Sequence, residues 1–316
     1  MRMYIARRFL HGLLVLWLVS LVIFSLVRIL PGDAVIMQLD QAAAPTPEIL
    51  ARARQELGLE RPFLVQYRSW ITSAVQGDLG RSLITRRPVT QELLKRINLT
   101  SHLAVMSIIV AMLIALPIGV LSAVKQDTAS DYIARFLAIL GLSLPDFWLA
   151  TVIITFLAIW VQWIPPIGFA PLWEDPARCL GQLLIPAFII GARLAAVSMR
   201  MTRSSLLEVL RQDYIRTARA KGARERAVIV RHALKNAFIP VITVIGQQFS
   251  VLLGGTVIVE FIFLQPGVGS LMLDAVLLRD YTLIQGAVLF FAVVIVVTNL
   301  LVDLSYAWLD PRIRYR

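Results

Sequence analysis

The sequence predicts an all-α membrane protein that crosses the bilayer six times. The chain is 58% hydrophobic and only 16% charged, whereas soluble domains hold about a quarter charged residues. It contains six apolar runs near the ~20 residues that cross a bilayer as helix. The net charge of +11 collects in the segments between those runs, as topology by the positive-inside rule requires. A basic balance also suits nucleic acid, but no RNA- or DNA-binding module is visible, so no nucleic-acid partner is expected. Cys179 stands alone, which excludes an intramolecular disulfide or a cysteine metal cluster. His11, His102 and His232 are widely spaced and suggest no metal site. Neither a cofactor nor a metal is expected.

The first run, Phe9 to Leu30, follows a basic start with Arg2, Arg7 and Arg8. Its apolar core is too long for a cleaved signal peptide, and a small-residue cleavage site is not evident. Arg28 interrupts it only near the end, where a long side chain can snorkel to the interface. This reads as a first spanning helix with its N-terminus in the cytoplasm. From Pro31 to about Asn98 the chain turns polar, with short amphipathic helices expected over Pro47–Leu57 and Pro62–Val75. This long external loop carries Arg52, Arg54, Arg86, Arg87, Lys95 and Arg96. That charge conflicts with an external position, but loops beyond about 60 residues translocate largely regardless of charge. The segment reads equally as a solvated spacer or as a contact surface.

The second span is expected over Leu99–Val124, with a local bend at Pro117 and Gly119. After a polar turn from Lys125 to Asp131, the third, Ile133–Trp163, exceeds what a bilayer needs and is split by Pro145 and Asp146, so it tilts or kinks. W-I-P-P-I-G-F and Trp173 then mark an outer interface. The fourth, Leu183–Met199, is short and carries Arg193 towards its inner end. The fifth, Phe238–Val259, carries Gln247, Gln248, Gly254 and Gly255. The sixth, Leu283–Leu304, leads to Asp310-Pro311 and a basic tail, so six spans put both termini in the cytoplasm.

Between spans four and five lies D-Y-I-R-T-A-R-A-K-G-A-R-E-R-A-V-I-V-R-H-A-L-K-N-A-F-I-P, Asp213 to Pro240. Its density of Arg and Lys requires water. Ile215, Ala218, Gly222 and more loosely Tyr214 share one side of a short helix, and Arg216, Arg219 and Lys221 crowd another. Gly222 is placed to stop that helix. A second helical stretch is expected from about Arg224 to Asn236, with Pro240 marking entry to the next span. By charge alone the loop is a topology signal; its helix-Gly-helix order adds a docking element. Between spans five and six, Pro266-Gly267 and Gly269 require a turn flanked by apolar residues and by Glu260, Asp274 and Asp280. A tight external turn fits this segment, as does a short re-entrant or interfacial helix buried by protein or lining a cavity.

D-Y-I-R-T-A-R-A-K-G followed by R-H-A-L-K-N-A-F-I-P-V-I resembles the cytoplasmic signature loop of ABC-transporter permeases, close to the dipeptide/oligopeptide importer branch. L-G-L-x-x-P at Leu57–Pro62, G-D-L-G-x-S at Gly77–Ser82, P-G-x-G at Pro266–Gly269 and the L-D-P-R tail are similar to stretches of the same branch, so the resemblance covers almost the whole chain. It implies a type I ABC importer permease fold, with residues 1–98 forming the first helix and external loop, and residues 99–316 a five-helix core whose cytoplasmic coupling loop is 200–237. It implies a coupling helix in which Tyr214, Ala218, Arg219, Lys221 and Gly222 meet a groove on an ATPase subunit, with Ala218 and Gly222 at the small-residue positions. Gln247, Gln248, Glu260, Pro266 and Gly267 are candidates for lining the pathway; buried amides need partners, so helix packing explains the two glutamines equally well. The implied setting is the bacterial inner membrane. The implied partners are a second homologous permease, usually a related but different chain, cytoplasmic ATPases and an external substrate-binding protein.

The other function class is an ion-coupled secondary transporter or a channel. Such proteins commonly keep Asp, Glu or His within spans. Here the central parts of the spans are nearly free of acids, Asp146 being the main exception and Asp303 lying near an end. A membrane scaffold without transport fits the hydropathy but leaves the glycine-punctuated loop unexplained. The chain has no G-x-x-x-x-G-K-[ST] phosphate loop, so ATP hydrolysis is expected on a partner and the chain itself is not an enzyme. Dipeptides, longer peptides, nickel complexes and other small solutes remain open as cargo.

Overall fold

The computed structural model describes residues 2–29, 61–166 and 168–309. The expected Pro47–Leu57 helix, most of the L-G-L-x-x-P stretch and the basic tail lie outside them. The described chain is helical. Five helices are long and apolar enough to cross a membrane, and one pair bent by 95° supplies a sixth if it counts as a single broken span. Packing divides the chain into two compact units, Met1–Asn98 with Gly267–Leu300, and Leu99–Pro266 with Leu301–Arg316.

In the first unit, α1 (Arg2–Ile29) carries the apolar run, and α2 (Phe63–Val75) matches the expected amphipathic helix. Phe24 of α1, fully buried, meets the rings of Phe63 and Tyr67 edge-on at 5.3 Å each. The Ser20 hydroxyl donates to the Trp17 carbonyl at 2.7 Å and shares a 2.7 Å hydrogen bond with the Tyr67 hydroxyl, which ties α1 to α2. The core of this unit joins Val89 and Leu93 of α3 (Val89–Val124) to Val268, Leu271 and Ala275 of α11 (Val268–Leu277) and to Leu283, Ala287 and Phe291 of α12 (Tyr281–Leu309). α3 therefore begins ten residues before the expected span, at Val89 rather than Leu99: polar Lys95 and Arg96 end the apolar run, but Val89 and Leu93 are buried and hold the helix in place.

In the second unit, α6 (Pro176–Leu210) is the central helix and packs against α4 (Ala129–Ser143), α5 (Asp146–Phe156) and α9 (Leu234–Gly255). Its start is set by Asp175, whose Oδ1 accepts from the Arg178 amide at 3.0 Å, and by Pro176 in the first turn. The expected short span Leu183–Met199 is thus a 35-residue helix. The cations that truncate its apolar run are accommodated: Arg193 pairs with Asp146 at 3.2 Å and Arg203 with Asp131 at 2.8 Å. The third span breaks at Leu144-Pro145, because proline drives the preceding residue to extended backbone, here φ −86° and ψ 122°. The break is 95°, a sharper turn than a tilt.

Pro117 lies inside the continuous α3, and Gly119 serves close approach: a Cβ there would stand 2.8 Å from Cβ of Thr202 and 3.0 Å from the Met199 carbonyl. Pro240 lies inside α9, which follows α8 (Glu225–Ala227) and a π-helical turn (Val228–Ala233), so the fifth apolar run starts well before Phe238. α10 (Val257–Ile262) completes this unit's helices, after α7 (Asp213–Ala220) described below.

Gly191 marks a second close crossing of α3 and α6, where a Cβ would meet the Ser107 carbonyl at 2.8 Å and Val110 at 3.0 Å. Gly191→Ala is expected to lower stability by about 1–3 kcal/mol through overpacking. Gly181→Ala on the same helix meets nothing within 4 Å and should be neutral or stabilising by helix propensity. Thermal denaturation of the purified protein distinguishes the two; equal melting temperatures would refute the close crossing.

Candidate functional site

α7 is short and mostly polar, so it holds its place through one anchor. Ile215 is fully buried in a cluster with Ala123, Leu206, Val228, Ala233 and Ala237, with Ala218 and Ala223 packed against it. The helix ends as the sequence demands. The Gly222 amide donates to the Arg219 carbonyl at 2.9 Å and the Ala223 amide to the Ala218 carbonyl at 3.3 Å, with Gly222 at φ +78°. This paired arrangement is the Schellman motif, with its accompanying apolar contact between Ala223 and Ala218.

The remaining sequence-predicted residues are braces or outward positions. The Tyr214 hydroxyl accepts from Asn236 Nδ2 at 2.8 Å. Arg219 donates from Nε and Nη2 to the two Glu225 oxygens at 3.2 and 2.7 Å, and this hydrogen bonding raises its guanidinium above the ordinary arginine pKa. Lys221 is exposed at the C-cap. Ala218 is partly buried, packed against the cluster around Ile215. Exposed along the helix are Asp213, Tyr214, Arg216, Thr217, Arg219 and Ala220.

The elements that carry this helix are locked from beneath by a cluster that sequence reading missed. Asp131, fully buried, accepts a two-pronged pair of hydrogen bonds from Arg203 Nε and Nη2 at 2.8 Å each, another from the Asp127 amide at 3.1 Å, and one from the Ser122 hydroxyl. Arg135 lies 3.6 Å away. The ends of α3, α4 and α6 meet there. The sequence offered only Asp131 and Arg135 at helical i,i+4 spacing, a pattern common on exposed faces.

The candidate pathway residues differ in their surroundings. Gln247 is exposed on α9, while Gln248 donates to Ser198 Oγ at 3.3 Å. Glu260 is fully buried and accepts from Thr100 at 2.8 Å and Thr256 at 3.1 Å. Pro266 is exposed and Gly267 caps the buried start of α11. In the first unit, G-D-L-G-x-S is a built turn: Gly77 and Gly80 take φ +88° and +86°, Asp78 Oδ1 accepts from the Gly80 amide at 2.9 Å, and the Ser82 hydroxyl donates to Asp280. Asp280 also accepts from the Leu83 and Leu283 amides at 3.1 Å each, so it caps α12 and holds the turn together. Among the described residues no group of His, Cys, Asp and Glu is placed to hold a metal ion.

Residues 115–315 match the family described as binding-protein-dependent transport system inner membrane component, and residues 1–104 match its N-terminal companion family. The chain belongs to this family. It is 39% identical over 311 residues to a putative peptide transport system permease protein of Brucella abortus, covering 98% of each chain. It is 40% identical over 313 residues to a glutathione transport system permease protein of Pectobacterium atrosepticum, covering 99% of each, and 39% identical to its counterpart in Salmonella choleraesuis. The chain is therefore an all-α, multi-pass ABC permease of the peptide type, a transport subunit of a binding-protein-dependent uptake system in the inner membrane. The reading as an ion-coupled transporter or channel is set aside. Membership implies, in general terms, an ATPase and a substrate-binding protein as partners.

Proposed function

We propose that this permease forms half of the translocation pathway for di- or oligopeptides and couples to ATP hydrolysis on a separate subunit through α7. The observation that carries the coupling reading is the Schellman-capped helix seated on Ile215, which presents Asp213, Arg216, Thr217 and Ala220 outward on a rigid base. A short helix seated on Ile215 and capped at its C-terminus can transmit a displacement that a solvated connector would absorb. The peptide reading draws on the relatives' names, since glutathione is itself a short peptide. The other half of the pathway is a second permease, a related but different chain.

Within the candidate pathway set, Gln247 and Pro266 are the exposed members available to solute. Gln248 and Glu260 bond to hydroxyl side chains, and Gly267 starts α11. Both termini and the 200–237 loop lie in the cytoplasm, and the polar segment after α1 lies outside, as the basic content of Arg200 to Lys235 favours. Single cysteines at Gly77 and Arg224, placed in a Cys179→Ala background, test this with a membrane-impermeant thiol reagent on intact cells. Position 77 is expected to label and position 224 to label only after permeabilisation. Labelling of position 224 in intact cells would overturn the orientation.

A further inference from the structure

Where the apolar run of α1 ends, a cavity of about 270 Å³ lies against α2, lined among others by Arg28, Arg61, Ser69, Trp70, Ser73 and Asp78. The volume falls just below the ~300 Å³ at which pockets for drug-sized molecules begin, so it suits a headgroup-sized ligand. Arg28 is held in place: its guanidinium lies 3.3 Å over the Phe24 ring, donates twice to Gln66 Oε1 at 3.0 Å and once to the Phe24 carbonyl at 3.1 Å. A guanidinium has five N–H donors, so two remain for another acceptor. The side chain of Arg61 has no partner among the described residues, while its carbonyl accepts from Gln66 Nε2 at 2.8 Å. Asp78 commits Oδ1 to the Gly80 amide at 2.9 Å and leaves Oδ2 open.

The position of the cavity narrows the ligand. The candidate span of α1 runs from Ala6 to Ile29, so Arg28 sits where hydrocarbon gives way to the polar interface. Trp70 is the residue type that collects at that depth. Beside the cavity, α2 exposes Leu64 at 74% and Val65 at 47%, an apolar surface suited to an acyl chain. The lining carries two guanidiniums and one carboxylate, a balance of one positive charge that a phosphodiester monoanion neutralises with paired N–H···O bonds. The open carboxylate oxygen and the Ser69 and Ser73 hydroxyls then call for hydroxyl groups rather than a methylated ammonium. We infer that this cavity holds the headgroup of an anionic, polyol-bearing phospholipid of the phosphatidylglycerol kind. The inference needs α1 to end at a membrane face and is independent of which face, of the cargo and of coupling.

The test is native mass spectrometry of the full-length chain, purified with the subunits it assembles with, after exchange into phosphatidylcholine containing phosphatidylglycerol, phosphatidic acid or phosphatidylethanolamine. Phosphatidylglycerol is expected to be retained best. Arg61→Gln, which breaks no contact among the described residues, should weaken retention roughly tenfold, as losing one charge-assisted hydrogen bond implies; Arg28→Gln should do the same or more. Asp78→Asn keeps an acceptor for Gly80 and should erase the preference for phosphatidylglycerol over phosphatidic acid. Unchanged retention in Arg61→Gln, or equal retention of phosphatidylcholine or phosphatidylethanolamine, would overturn the assignment. Displacement by soluble glycerophosphoglycerol at the same concentration as the lipid would identify a site for free phosphodiesters and overturn the lipid reading.

Discussion

Gly222→Val is expected to insert and assemble normally yet lose ATPase association, or the coupling of hydrolysis to transport, by about tenfold or more. The residue sits at φ +78° and a Cβ there would meet nothing within 4 Å, so the whole effect comes from the backbone. A β-branched residue in the left-handed region is strained by roughly 1–3 kcal/mol. The chain relieves that strain by giving up the two capping hydrogen bonds from Gly222 and Ala223. α7 then loses its fixed end, and Ile215 its seat, while the flanking spans are untouched. At ~1.4 kcal/mol per factor of ten, such strain lowers docking tenfold or more. Gly222→Asn should be far milder, because asparagine tolerates positive φ, and Arg224→Gln, at an exposed position, should do little. Co-purification of the ATPase and substrate-stimulated hydrolysis in reconstituted membranes measure the series. Full retention of both by Gly222→Val would reduce the loop to a solvated connector.

Asp131→Ala is expected to produce the largest loss of stability of any single side-chain truncation discussed. It removes a fully buried carboxylate and leaves Arg203, whose side chain is 19% exposed, without its charge partner. Breaking one side of a buried pair costs about 3–5 kcal/mol, a large part of the ~5–15 kcal/mol by which proteins are stable. Asp131→Asn preserves shape and one of the two acceptor oxygens, so its effect should be smaller. The double variant Asp131→Leu/Arg203→Met should be more stable than either single truncation, since it removes the uncompensated charge. Yield and thermal denaturation read out the cycle. Strictly additive losses would mean that the pair is not coupled. Because the cluster joins the ends of α3, α4 and α6 next to the seat of Ile215, surviving Asp131→Asn protein should also show weakened coupling at normal assembly.

The sequence alone determined the class of protein, the order of its apolar helices and the position of the Gly222 stop. These are local or compositional properties: a run of some twenty apolar residues must find an apolar solvent, and glycine after a helical stretch relieves a strain that other residues pay. The motif order also pointed to the permease family before any contact was known. What hydropathy could not place were helix ends. Val89, Lys95 and Arg96 fall outside an apolar window, yet α3 begins at Val89 because its first turns bury Val89 and Leu93. α6 continues past Arg193 and Arg203 because each cation meets an acid from another helix.

Tertiary structure alone decided which side of α7 faces outward and what the charged and polar residues do. In the fold Ala218 packs, partly buried, beside the fully buried Ile215, and Asp213, Tyr214, Arg216, Thr217, Arg219 and Ala220 stand exposed. G-D-L-G-x-S reads as spacer or contact surface until Asp280, nearly two hundred residues away, is seen to gather its amide and hydroxyl donors. Asp131 and Arg203 are 72 positions apart. Periodicity reports which face of a helix is apolar, but a buried charge is tolerable only when a partner reaches it, and the partner is chosen by packing between helices distant in sequence.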